Sequence, residues 1–192
     1  NSKICTFNCI YCECGWTKDI APVDKKYPPR QEIKQALDER LRIMYKNNEP
    51  IDTITFAGNG EPTLHPDFAG IIDDTIEVRD KSPFQNVGIA VLTNASLLDR
   101  TDIFDALNKV EYNILKLDSA FQSTADLLNK PLIDYDVEKT IEWIKKFDGN
   151  QIVQTMFVKG TFNGKPFVNT TKKEINAWLE KLKEIEPKQV MI

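Results

Sequence analysis

Cys5, Cys9 and Cys12 fall in the run Cys5-Thr6-Phe7-Asn8-Cys9-Ile10-Tyr11-Cys12, and Cys14 follows two positions later. Thiolates this close on one loop can converge on one metal centre. Structural zinc takes four ligands in a closed tetrahedron, usually as two separated pairs. Here every cysteine of the chain lies in one strip between positions 5 and 14. His65, the only histidine, is far along the chain, and its position neither makes it a ligand nor rules it out. A [4Fe–4S] cluster normally takes four thiolates. Three would leave one iron open to a non-protein ligand, which suits catalysis. Cys12 and Cys14 would share a face of an extended loop and fit poorly around one cubane. Cys14 is therefore expected to be a free thiol or a ligand to something accessory. We prefer the iron–sulfur reading. Structural zinc and a Cys9–Cys12 redox dithiol of the C-x-x-C kind are the alternatives.

Such a centre needs a scaffold. The chain has 192 residues, 41% hydrophobic and 28% charged, as expected of one globular domain covering 1–192. Arg30 to Asn47 carries a helical stripe of Ile33, Leu37, Leu41 and Tyr45, and Asp52 to Ala57 alternates like a strand before Gly58-Asn59-Gly60. Helices are predicted over 67–80, 96–108, 135–147 and 171–185, and strands over 87–92, 112–117, 151–158 and at the last residues. Residues 16–29, the stretch before 135 and residues 159–169 read as loop. Alternating strand and helix predict a parallel α/β sheet with outer helices. A further strand is expected before the cysteine loop, giving six βα units rather than the eight of a closed barrel. Asn1 does not look like a native start, and the strand-like Gln189-Val190-Met191-Ile192 ends without a cap, so truncation is expected at both ends.

Composition narrows the function. A net charge of −4 weighs against a surface built to grip many phosphates, although a local basic patch would be hidden in that total. No apolar run approaches the ~20 residues that span a bilayer, so no membrane partner is expected. Clustered cysteines fit a reducing compartment, read here as the cytoplasm.

The spacing Cys5-x3-Cys9-Ile10-Tyr11-Cys12 resembles the signature of the radical S-adenosylmethionine (radical SAM) superfamily. Gly58-Asn59-Gly60-Glu61-Pro62, at the next strand end, is similar to that family's Gly-Gly-Glu motif with Asn59 inserted. Ser2-Lys3-Ile4-Cys5 together with Gly58 to Thr63 looks most similar to wyosine-synthase-like iron–sulfur oxidoreductases. The resemblance implies a partial (β/α)6 barrel in which Cys5, Cys9 and Cys12 ligate three irons of a [4Fe–4S] cluster. S-adenosylmethionine would chelate the fourth iron. One electron from the reduced cluster would then release methionine and a 5′-deoxyadenosyl radical that takes hydrogen from substrate. An electron donor such as flavodoxin or ferredoxin is implied. The substrate is open among small molecules, proteins (a glycyl-radical partner) and tRNA. A non-catalytic iron–sulfur electron carrier and a zinc-binding interaction module are the rival functions.

The resemblance also assigns the strand ends. Tyr11 would pack near the adenine, and the backbone of Gly58, Asn59, Gly60 and Glu61 would hold the methionine amino group. Two glycines let a backbone approach a ligand closely, though a plain βα turn would look the same. Thr93-Asn94 would either contact the methionine carboxylate or cap the next helix. Lys116 and Asp118 share a strand face and would pair or line the cavity, with Asp118 or Ser119 on the ribose hydroxyls. Gln154 would bond the ribose or carboxylate, or be an ordinary satisfied core polar group. His65 is expected to cap or pack, and Phe7 and Trp16 to shield the cluster.

Overall fold

The computed structural model describes residues 3–17 and 27–192. Ser2 and most of the expected 16–29 loop lie outside the described residues. In chain order the elements are α1 (Arg30–Lys46), β1 (Thr53–Phe56), a 3-10 turn (Pro62–Leu64), α2 (Phe68–Asp80), β2 (Gly88–Thr93) and α3 (Thr101–Asn108). They continue with β3 (Tyr112–Lys116), α4 (Gln122–Asn129), α5 (Val137–Lys145), β4 (Gln151–Gln154), β5 (Lys159–Phe162), β6 (Lys165–Val168), α6 (Lys172–Ile185) and β7 (Gln189–Met191).

Five strands form one open sheet in the order β1-β2-β3-β4-β7, every neighbouring pair parallel. Strands therefore sit side by side in the order in which they are made, as right-handed crossovers through intervening helices dictate. Side-chain parity then splits the sheet. Ile89, Val91, Leu115, Leu117 and Val153 point toward the helices and are buried among Ile72, Ile103, Leu107, Ile141, Ile144 and Trp178. Each such side chain contributes roughly 1.5–3 kcal/mol. The opposite parity, Ala90, Ile114 and Ile152 with Leu92 and Met191, lines the inner face. Lys116, Asp118 and Gln154 continue that inner row at the C-terminal strand ends, where ligands of such sheets are held.

The parallel α/β sheet with outer helices matches the expectation, and it does not close into a barrel. Ile4 forms a parallel bridge to Gly60, so the chain enters the cysteine loop alongside the end of β1. No helix among the described residues is long and apolar enough to cross a membrane.

Four local expectations are corrected. Residues 122–129, expected as loop, are helix α4, and 159–169 form the antiparallel hairpin β5–β6. Its turn residues Asn163 (φ 49°) and Gly164 (φ 75°) are both left-handed, the signature of a type I′ turn. The helix expected from 96 begins only at Thr101, because Ala95 is left-handed (φ 62°) and the Ser96 N–H is taken by Asn94 Oδ1 at 3.0 Å. The strand expected to 158 stops at Gln154, because Asp118 Oδ1 captures the Met156 N–H and Asn169 Oδ1 that of Val158.

Candidate metal centre

The cysteine loop is seated by its own backbone. Asn8 N–H donates to the Lys130 carbonyl (3.1 Å), Ile10 N–H to Leu128 (2.8 Å), and Leu132 N–H to Thr6 (2.8 Å). Phe7, 1% exposed, bridges to Pro131 and meets Tyr135 edge-on at 4.9 Å. On the other side Glu61 N–H donates to the Ile4 carbonyl at 2.8 Å. Thr17 closes the loop: its hydroxyl accepts from Cys5 N–H, its N–H donates to Asn8 Oδ1, and its carbonyl accepts from Asn8 Nδ2.

The two glycines after β1 have different jobs. A Cβ on Gly60 (φ +143°) would lie 1.9 Å from the Ile4 carbonyl oxygen, so Gly60 is what lets the cysteine loop reach the sheet. Gly58 (φ +127°) has nothing within 4 Å of its missing Cβ and faces open space. Gly58 thus leaves room for a ligand beside its Cα, while its carbonyl already accepts from Gly60 N–H (2.8 Å) and from Cys14 Sγ (3.6 Å). Asn59 lies between them, and its carbonyl accepts from Ile4 N–H.

Cys5, Cys9, Cys12 and Cys14 are free thiols, the first two buried, Cys12 half-buried and Cys14 exposed. Burial pushes the Cys5 thiol up to about 11, with a smaller opposing pull from the Phe7 N–H. Burial also raises Cys9, against a hydrogen bond from Asn129. A metal must therefore displace protons here, and binding becomes pH-dependent. Each of the three signature sulfurs receives a side-chain N–H. Lys3 Nζ reaches Cys12 at 3.3 Å, Asn94 Nδ2 reaches Cys5 at 3.6 Å, and Asn129 Nδ2 reaches Cys9 at 3.5 Å. Among the described residues no three His, Cys, Asp or Glu side chains gather around a point where one ion would sit. A cubane does not ask for that, since it takes each thiolate on a separate iron. Free thiols on one short loop, with donors on their sulfurs, suit the cluster chemically.

The other predicted residues fall into two groups. Glu61 is buried, and its carboxylate accepts from Thr63 N–H (3.1 Å), Thr63 Oγ1 (2.7 Å), Thr93 Oγ1 (2.6 Å) and Asn94 N–H (2.7 Å). Burial raises its carboxyl above the usual range, and those four donors oppose the rise. Glu61, Thr93 and Asn94 therefore tie β1 to β2 and, through Asn94 Nδ2 on Thr6 Oγ1 (2.7 Å), to the cysteine loop. Thr93-Asn94 does not cap α3, which starts at Thr101.

Asp118 is the second hub. The Tyr11 hydroxyl and Asn129 Nδ2 (2.6 Å) donate to its Oδ2, and Met156 N–H (2.8 Å) donates to its Oδ1, with Lys116 Nζ 3.4 Å from the same oxygen. Lys116 and Asp118 do pair, and Lys116 also sits 5.2 Å from the Tyr11 ring centre. Burial, then the Asp118 charge, raises Tyr11 far above its ordinary range, so its hydroxyl stays protonated and donating. The Ser119 hydroxyl is committed to Glu174 (2.7 Å). Asp118 and Ser119 are thus already bonded within the protein, whereas the half-buried Gln154 makes no side-chain hydrogen bond among the described residues. Gln154 sits beside Lys116 in register.

His65 packs and caps: Asp67 N–H donates to Nδ1 (3.0 Å), which leaves Nε2 to donate to the Pro28 carbonyl (2.9 Å). Trp16, 46% exposed, lies against Phe162 of the hairpin at 5.6 Å. The residue that sequence reasoning missed is Asn129, buried at the end of the unpredicted helix α4 and bonded to Cys9, Tyr11 and Asp118. In the stretch Ser123-Thr124-Ala125-Asp126-Leu127-Leu128 only Ala125, Leu127 and Leu128 favour a helix, and Pro131 just beyond it signals a loop.

An open parallel sheet with a three-cysteine loop at its C-terminal edge defines a class, and comparison with known proteins agrees. The model described as the radical SAM superfamily matches residues 2–173, and the chain belongs to that superfamily. It is similar to a UPF0026 protein of Methanocaldococcus jannaschii (29% identity; 96% of this chain, 54% of the relative) and one of Synechocystis (28%; 98% and 64%). It is also similar to a protein named GTPase Obg in Brachyspira hyodysenteriae (29%; 99% and 26%). The chain thus spans less than two thirds of these relatives. It contains no Gly-x4-Gly-Lys-Ser/Thr phosphate loop. Solved structures of similar fold include SuiB of Streptococcus suis (TM-score 0.63, 17% identity, 97% of this chain and 36% of that one). TYW1 with a lysine-pyruvate adduct (0.61, 16%, 96% and 59%) and anSMEcpe with bound AdoMet (0.59, 21%, 98% and 48%) are further examples.

Proposed function

We propose that this chain is the core of a radical SAM enzyme in which Cys5, Cys9 and Cys12 hold a [4Fe–4S] cluster and S-adenosylmethionine lies across the C-terminal strand ends. The observation that carries this reading is the seating of the loop: three free thiols, each with an N–H on its sulfur, docked beside the open side of Gly58. When bound and reduced, the cluster supplies an electron to the sulfonium, giving methionine and a 5′-deoxyadenosyl radical that takes hydrogen from substrate. The protein's own residues bind and orient. The open side of Gly58 leaves room for the methionine amino group, and Gln154, whose side chain makes no hydrogen bond among the described residues, takes a polar group of the nucleoside or the methionine. Glu61, Thr93 and Asn94 hold the mouth of β1 and β2 rigid. Asp118 and Asn129 fix Tyr11, whose ring would then lie beside the adenine. An acidic low-potential carrier such as flavodoxin or ferredoxin would deliver the electron.

The test is anaerobic reconstitution of the full-length protein with iron and sulfide, reduction with dithionite, and addition of S-adenosylmethionine. 5′-Deoxyadenosine should appear, and Cys5→Ala, Cys9→Ala and Cys12→Ala should each abolish it. Cys14→Ala should leave iron content unchanged. No 5′-deoxyadenosine from cluster-loaded protein would overturn the enzyme reading, and loss of the cluster in Cys14→Ala would favour a four-thiolate electron carrier.

A further inference from the structure

We infer that Lys3, Asn94 and Asn129 are positioning residues that set the reduction potential of the centre, one acting on each signature sulfur. The inference rests on the cluster assignment proposed above and deepens it. Three side chains from three separate parts of the chain converge on three different sulfurs. Lys3 precedes the loop, Asn94 follows β2 and Asn129 ends α4.

Their donor atoms are assigned by chemistry. Asn94 Oδ1 accepts from Ser96 N–H (3.0 Å), so Nδ2 must face Thr6 Oγ1 and the Cys5 sulfur. Asn129 faces Asp118 Oδ2, which also accepts from the Tyr11 hydroxyl, so its nitrogen points inward. One hydrogen serves Asp118 Oδ2 at 2.6 Å. The other is shared between Tyr11 Oη at 3.0 Å and the Cys9 sulfur at 3.5 Å. Asn94 and Asn129 are 7% and 3% exposed, so little water competes for these contacts. Lys3 is 7% exposed, and its ammonium is held between the Cys12 sulfur and the Gly15 carbonyl at 2.9 Å.

The direction of the effect follows from charge. One-electron reduction adds negative charge that is spread onto the ligand sulfurs, and donors to those sulfurs stabilise the reduced form. Buried donors and a buried cation do so most strongly, because little solvent screens them. The three residues therefore raise the potential, so that a weaker reductant suffices to charge the centre.

The test is a dye-mediated potential titration of the reconstituted protein, with dithionite as one-electron reductant and the reduced cluster read by electron paramagnetic resonance. Asn129→Leu, Asn94→Leu and Lys3→Met are compared with wild type at equal iron per chain. Each should lower the reduced-to-oxidised ratio at a fixed potential about tenfold, equivalent to about 59 mV for one electron. Lys3→Arg, which keeps the donor and the charge, should restore most of it. Lys3→Met with Lys3→Arg keeps the test open should the buried asparagine variants not fold. Unchanged or raised potentials in loaded variants would overturn the inference. Failure of the wild type to take up a [4Fe–4S] cluster would instead overturn the assignment on which it rests.

Discussion

Gly60→Ala should release the cysteine loop where Gly58→Ala does not. Both positions have φ in the range that disfavours a side chain, and each alanine costs of order 1–3 kcal/mol in backbone strain. Only Gly60 adds a collision, with the Ile4 carbonyl oxygen 1.9 Å from the new Cβ. That oxygen is backbone and cannot swing aside. The Ile4 segment must retreat and give up the Glu61 N–H to Ile4 bond (2.8 Å) and the Ile4 N–H to Asn59 bond (3.4 Å). At about 1 kcal/mol each, the two bonds make a difference of ~2 kcal/mol between the variants. At 1.4 kcal/mol per tenfold, the loop should open roughly 30-fold more often in Gly60→Ala. Cys5 and Cys9 are both 8% exposed, so their alkylation by iodoacetamide in metal-free protein reports that opening, with exposed Cys14 as an internal fast standard. Peptide mapping by mass spectrometry gives the rates. Equal alkylation of Cys5 and Cys9 in the two variants would refute the steric account of Gly60.

Three further outcomes follow from the geometry. Phe7→Ala should lower stability by roughly 3–5 kcal/mol and reduce iron uptake, measured by thermal melting and iron per chain, since Phe7 is the loop's buried anchor against Tyr135. Gln154→Ala should raise the S-adenosylmethionine concentration for half-maximal 5′-deoxyadenosine release about tenfold while iron content stays at the wild-type level. Asp74, bonded first to Arg30 and then to Lys34 across α1 and α2, is held down at about 2. Its contribution is present above the unfolded carboxylate range and is lost as pH falls from about 4 toward 2. Because Arg30 is largely exposed, Asp74→Asn should cost only about 1 kcal/mol at neutral pH in denaturant titrations, and nothing near pH 2.

Much of this architecture is legible in residue order. The strand β1 follows from alternating apolar residues, β2 to β4 and β7 from short apolar runs, and their parallel arrangement from the helices between them. The cysteine loop and the Gly58–Glu61 segment stand out because their residue types are unusual. What is not legible is which polar side chains are committed to one another. Glu61 and Thr93 lie far apart in the chain, yet both are consumed in one buried knot. Asp118 looks equally available in sequence and proves fully bonded. Helix α4 was hidden by its shortness and by Pro131. The β5–β6 hairpin was readable: Asn163-Gly164 between two short β-compatible runs is a strong hairpin signal.

The seat of the cysteine loop has a consequence for how the protein is made. Residues 6–10 leave the ribosome more than a hundred positions ahead of their backbone partners Leu128, Lys130 and Leu132. The thiols are therefore synthesised well before the backbone that houses them. Until the third βα unit emerges they are exposed to oxidants and stray metals, and the growing chain depends on the reducing power around it.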